Sequence, residues 1–312
     1  MDTTCCGRYT ARQLTFRLPL AVLSGLSISC RGADAPRDGT DGGDWPGYGR
    51  THSQQHYCPL SDINSSNVSR LRLAWWFDIP GTVLATSVPL EVDGTLHVGT
   101  GYSVVRGLEA SNGRLRWQFD PQVAPVSGHG VWSIRGLASW NRNVYVGTDD
   151  GRLIALDSTS GKPVWAIQTT ERDHMHAITG PPLAFNGRIV IGHGASDVGP
   201  MRGYVTAYDA DTGHRLWRFF AVPGDPSKGF ENSAMEMAAR TWAGKWWLHG
   251  GGATVWNAIT YDPELDRVYA GTGNGSPWSR QIRSSGGGDN LFVASIVALD
   301  AASGSYIWML AS

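Results

Sequence analysis

Two residue types set close together raise the question of chemistry in this chain. Between Gly250 and Trp278 it reads GGGATVWNAITYDPELDRVYAGTGNGSPW. Trp256 offers a flat apolar face on which a planar ring can stack. Asn274, inside a glycine-rich loop, offers a side-chain carbonyl that a hard cation can take. The glycines allow φ > 0 and a close approach of backbone to a ligand. Such a stretch can hold a flat cofactor and a metal together. It can equally be a Gly/Trp-rich turn of a β protein. A second constellation, His174 and His176, has the His-x-His form of a transition-metal site but no third ligand at a sensible spacing, so exposed loop histidines are the expectation. There is no P-loop, no GxGxxG after a strand and no GxSxG, which leaves nucleotide and serine-hydrolase chemistry without support.

The elements that must position these residues repeat. GLEASNGRLRW (107–117), ALDSTSGKPVW (155–165), AYDADTGHRLW (207–217) and ALDAASGSYIW (298–308) share the template A-x-D-x-x-[T/S/N]-G-x-x-x-W. Gly107 stands where Ala is expected, and Glu109 where Asp is. Ahead of each copy lies a polar turn and an apolar run of strand length: VDGTLHVGT, WNRNVYVGT, FNGRIVIGH and DPELDRVYAGT. Trp117, Trp165 and Trp217 are spaced by 48 and 52 residues, and Trp308 follows after 91, across an insertion that carries GGGATVW. This periodicity predicts an all-β propeller of four-stranded blades, with each motif Trp wedged between neighbours. About four blades and a lead-in strand near Leu73–Asp78 are expected, an incomplete ring.

Composition agrees. The chain has 312 residues, 40 Gly and 14 Trp, and only 17% charged residues, a profile of short strands and tight turns. A net charge of −1 leaves no basic surface for nucleic acid.

Residues 1–44 read as a signal peptide and flexible leader, and 45–312 as the propeller domain. Arg8, Arg12 and Arg17 precede an apolar run from Leu18 to Ile28 that is too short for a permanent span. Periplasmic or envelope localisation is the expectation. Cys30 is a lipidation candidate, although Leu26 lies four places before it where three is usual. Cys5 and Cys6 also lie in the leader, so only Cys58 remains beyond it and no disulfide framework is implied. No CxxCH haem site occurs.

The repeat, together with WPGYGRT, GGGATVW, GTGNGSPW and GGGDN, resembles the PQQ-dependent quinoprotein alcohol dehydrogenases over roughly residues 45–312. The resemblance implies the N-terminal half of an eight-bladed propeller around pyrroloquinoline quinone (PQQ) and Ca2+. It implies that Trp256 stacks on the quinone and Asn274 ligates the calcium. It implies that Thr179 (HAITGPP) bonds the quinone's carboxylate and Arg135 (SIRGLASW) its oxygens, with Gly194 and Ala195 at the cofactor and Asp197 as a further metal ligand.

The chain departs from the family in three places. His129 and Gly130 occupy the positions of an adjacent cysteine pair, Ser196-Asp197 follows Gly194-Ala195 where a glutamate is expected, and Thr86 lies near the place of another glutamate. The family's catalytic aspartate is expected shortly after Trp308, beyond Ser312. The implied function is oxidation of an alcohol or polyol, with electrons passed to cytochrome c or ubiquinone. The alternative is a non-catalytic propeller of this type serving as an envelope scaffold or lipoprotein.

Overall fold

The structure, a computed structural model, describes residues 43–79, 87–123, 134–170, 177–194, 199–257 and 259–311. Sixteen of its strands form four antiparallel sheets of four. The first holds β1 (Leu90–Val92), β2 (Thr95–Gly99), β3 (Val105–Glu109) and β4 (Leu115–Phe119). The second holds β5 (Ala138–Trp140), β6 (Asn143–Gly147), β7 (Arg152–Asp157) and β8 (Pro163–Gln168). The third holds β9 (Leu183–Phe185), β10 (Arg188–Gly192), β11 (Tyr204–Asp209) and β12 (Arg215–Phe220). A two-stranded pairing of β13 (Gly251–Gly252) with β16 (Gly275–Ser276) interrupts the fourth, which holds β14 (Ile259–Asp262), β15 (Arg267–Gly271), β17 (Ser295–Asp300) and β18 (Tyr306–Ala311). The first strands of successive sheets are neighbours, β1 beside β5, β5 beside β9 and β9 beside β14, as in a propeller.

The repeat template is explained by what its residues do at the outer turns. Asp157, Asp209 and Asp300 each accept both the amide and the hydroxyl of the Ser or Thr three places on. Those bonds, the side-chain one foremost, hold all three carboxyls below the usual carboxylate range. The glycine that follows takes a positive φ, and the previous blade's tryptophan lies flat on it. Trp117 covers Gly161, Trp165 covers Gly213 and Trp217 covers Gly304. Their indole nitrogens donate across the blade gap to Ser158, Ala210 and Ala301 carbonyls at 3.0, 3.0 and 3.1 Å. The core therefore lies between blades, with clusters joining the first blade to the second, the second to the third, and the third to the fourth.

Residues 73–78 form no strand among the described residues, contrary to the expected lead-in strand. Trp75 nevertheless plays the same part: it donates to Ala110 O at 3.1 Å and lies on Gly113. Gly107 replaces the template Ala because the ring of Trp117 lies over it, where a Cβ would meet the ring at 2.5 Å. The insertion before β14 is partly helical, which the strand pattern does not predict. It contains α1 (Ser233–Ala239), capped by the Asn232 side chain, and a satellite core of Trp242 and Trp246 packed on Val222 and Ala253.

Candidate functional site

The site lies at the entries to the innermost strands. Arg135 precedes β5, Thr179 precedes β9 and Trp256 precedes β14. Two backbone bonds link these entries, from Val88 N to Arg135 O and from Arg135 N to Thr179 O, each 2.9 Å. Gly194, two residues past the end of β10, is tied to Ala177 O at 2.7 Å. A methyl group on Gly194 would lie 3.5 Å from Thr179 Oγ1 and 3.8 Å from Trp256 Cβ. Gly194, Thr179 and Trp256 therefore form one wall.

The Arg135 guanidinium lies over the Trp256 ring, 4.8 Å from its centroid, a cation–π contact. Its Nη1 is buried and has no hydrogen-bond partner among the described residues. Trp256 is 40% exposed, a large indole left open to the site, whereas the Thr179 hydroxyl is on a residue only 4% exposed. A buried donor without an acceptor costs free energy that an anionic or carbonyl-bearing ligand would recover, by about 1–3 kcal/mol.

The glycine-rich stretch does something other than touch a ligand at its first three residues. Gly250, Gly251 and Gly252 have φ of 75°, 88° and 84°, which favours glycine over any side chain. They also run against other backbone. A Cβ on Gly250 would meet Met201 N at 2.1 Å, and one on Gly252 would meet Ser276 N at 2.5 Å. From the facing side, a Cβ on Gly203 would meet Ala253 O at 1.9 Å. Gly203 N donates to Gly252 O, and Ala253 N to Asn274 O, so Met201–Gly203, β13 and the Asn274 turn are laced together. Gly273 is tied to Thr254 O at 2.7 Å and lies within 3.2 Å, by its would-be Cβ, of Trp256 Nε1. Asn274 thereby sits one residue from the indole. Its side chain is exposed, and its Nδ2 donates to Gly275 O at 3.2 Å, which leaves Oδ1 as the accepting end.

Five of the seven residues the sequence singles out thus come together: Arg135, Thr179, Gly194, Trp256 and Asn274. Ala195 and Asp197 lie outside the described residues, as do Thr86, His129, Gly130, His174, His176 and residues 1–42 of the leader. Among the described residues no three His, Cys, Asp or Glu side chains cluster as a metal site.

Residues 45–311 match the model for the β-propeller domain of PQQ glucose, ethanol and alcohol dehydrogenases. The chain belongs to that family. It is similar to the quinohemoprotein alcohol dehydrogenase ADH IIB of Pseudomonas putida, 46% identical over 271 residues, covering 86% of this chain and 39% of that protein. The dehydrogenase subunit of a quinone alcohol dehydrogenase from Gluconacetobacter polyoxogenes is 44% identical, over 85% of this chain and 38% of its own. Among solved structures, the quinohemoprotein alcohol dehydrogenase of Comamonas testosteroni superposes with a TM-score of 0.83 at 47% identity, covering 89% of this chain and 42% of that one. A europium-containing methanol dehydrogenase superposes at 0.75 and 31% identity, covering 86% and 48%. The chain spans about two-fifths of the length of the curated relatives it matches. The five clustered residues lie within the matched domain.

One residue of the site loop is missed by sequence reading. Arg283, in RQIR, looks like a surface residue of a short polar helix, yet it is 8% exposed. Only the glycine at 275, which the guanidinium covers, hints at it.

Proposed function

We propose that this propeller carries the PQQ site of an exported quinoprotein that oxidises an alcohol or polyol and passes the electrons to a cytochrome c or ubiquinone. The observation that carries the reading is the pairing of Arg135 and Trp256: a part-exposed indole held against a guanidinium that has one unpaired nitrogen. That pair suits a flat, carboxylated, carbonyl-bearing cofactor. PQQ, when bound, supplies the hydride acceptor.

The chain's own residues bind and orient. Trp256 offers the apolar face that sets the plane of the ring. Arg135 donates charge-assisted bonds to the ring's oxygens from its unpaired nitrogen. Thr179 donates its hydroxyl to a carboxylate, and Gly194 keeps the space beside that hydroxyl clear. Asn274 Oδ1 is a neutral oxygen of the kind a calcium ion accepts, and Asp197 is the carboxylate we assign to the same ion. Thr179, Trp256 and Asn274 carry no basic side chain and Arg135 acts as a hydrogen-bond donor, so the alcohol's proton goes to a group outside this set. The similarity to quinohemoprotein and quinone alcohol dehydrogenases supports this reading over a scaffold.

Equilibrium dialysis of PQQ against the protein, with calcium and with chelator, tests it. Saturable binding that weakens in Arg135→Met and in Thr179→Val is expected; binding unaffected by both substitutions would refute the assignment.

A further inference from the structure

The stretch SSGGGDN (284–290), which the functional reading leaves unused, follows a buried arginine and ends on a buried asparagine. Arg283, on the short helix α2 (Arg280–Arg283), packs its guanidinium on Gly275, where a Cβ would lie 2.4 Å from Cζ. Its hydrogen bonds go to three carbonyl oxygens. Nη1 donates to Pro277 O at 2.5 Å and to Trp278 O at 3.1 Å, and Nε donates to Asn290 Oδ1 at 3.2 Å. Asn290 is 2% exposed, and its own Nδ2 donates to Thr241 O at 3.3 Å. Thr241 follows α1 and accepts the Leu291 amide on its hydroxyl at 2.9 Å. Gly288 runs against the same carbonyl: φ is 89°, and a Cβ would meet Thr241 O at 2.2 Å.

A chain of contacts thus runs from the end of α1 through Thr241, Asn290 and Arg283 to residues 275–278. The Asn274 turn is gripped from both sides. On one side Ala253 N bonds Asn274 O at 2.8 Å, and on the other the Arg283 fork bonds the carbonyls three and four residues on. Lysine cannot replace this fork, because its one nitrogen cannot stand both at Nη1, against the Pro277 and Trp278 carbonyls, and at Nε, against Asn290 Oδ1.

We propose that Arg283 is a positioning residue for the Asn274 turn, and through it for the cation that the turn holds. The proposal rests on the metal reading given above. It acts at one remove: Arg283 touches no ligand of the ion, and its own charge does not favour a cation. Partners behind a ligand typically set metal affinity by 10–100-fold when they are lost.

The test is a terbium titration of the whole protein, read as tryptophan-sensitised emission, on wild type, Asn274→Ala and Arg283→Lys. Hydrogen exchange of the 274, 275, 276 and 278 amides is measured on the same samples without metal. Lysine keeps the charge and loses the fork, so the comparison isolates geometry. Expected are saturable terbium binding competed by calcium, its loss in N274A, and roughly tenfold weaker binding in R283K. Those four amides should exchange faster in R283K while β9–β12 stay unchanged. Wild-type terbium affinity in R283K would overturn the proposal. Binding that N274A leaves intact would instead sink the metal reading. The hold of Arg283 on the turn is then decided by exchange, and unchanged protection in R283K would overturn it. Should R283K fail to fold, Asn290→Gly, which removes one of the three acceptors and tolerates the φ of 55° at that position, gives the same readouts.

Discussion

The guanidinium of Arg135 lies 4.8 Å above the indole of Trp256, although the two residues are 121 positions apart and enter different blades. The contact orients the arginine toward whatever lies on the indole. Arg135→Lys keeps a positive charge but loses the planar fork, so PQQ affinity is expected to fall about tenfold, and more in Arg135→Met. Calorimetric titration of the three proteins checks the order.

The laced backbone under the site makes a sharper structural prediction. Gly203→Ala places a methyl 1.9 Å from Ala253 O, where only a backbone shift can relieve it. The segment Ala253–Trp256, which follows β13, moves with that shift. Overpacking of this kind costs about 1–3 kcal/mol, and PQQ binding should be lost before the blades unfold. Thermal melting and ligand titration on the same variant separate the two effects.

Between blades, Gly161→Ala combines a φ of 68° with a methyl 2.3 Å from the Trp117 ring. A left-handed Ala and a displaced tryptophan together cost about 2–5 kcal/mol. Gly187→Ala, with a φ of 70° and nothing within 4 Å of the new methyl, should cost only the conformational part. Urea denaturation of the pair measures the difference, which is the worth of the Trp–Gly contact.

His97 predicts an acid limb to stability. It is fully buried against Trp117, neither ring nitrogen has a hydrogen-bond partner among the described residues, and desolvation lowers its pKa to about 4. The unfolded chain binds this proton more readily, so stability falls as pH drops from 6.5 towards 4, by up to about 3 kcal/mol. His97→Leu removes that slope and the two unpaired nitrogens together, and should be as stable as the parent or more so at pH 7. Guanidinium melts at pH 4.5 and 7 compare them.

Glu91 works in the opposite direction. Burial, with Asp44 and Asp93 adding repulsion, raises its pKa to about 7. The folded state therefore holds this proton more tightly. Its contribution is complete below pH 4.5 and is lost as pH rises through 7. Glu91→Gln keeps an acceptor for the Gly94 amide, which Glu91 Oε1 receives at 2.9 Å. It should gain stability over the parent at pH 8 and not at pH 4.5.

How much of this is legible in the chain depends on the range of the contact. Trp117, Trp165 and Trp217 sit in a local template with their turns, and their inter-blade role follows from periodicity. Trp75 plays the same role without the template, so only its place over Gly113 discloses it. Gly250–Gly252 look like residues that admit a ligand. Their positive φ is foreseeable, but their contact with Met201 and Ser276 comes from segments distant in sequence. Arg283 is the extreme case: nothing local says that an arginine in a polar four-residue helix is buried on three carbonyls. Arg135, Thr179, Gly194, Trp256 and Asn274 emerge through family resemblance, because single polar residues at strand entries carry no period of their own.

The central claim is that Trp256 forms the face on which PQQ lies. Titrating PQQ while following tryptophan fluorescence, with calcium and then with chelator, addresses it directly. Saturable, calcium-dependent quenching that disappears in Trp256→Ala is the predicted result. Equal quenching in wild type and Trp256→Ala, or none in either, would contradict it.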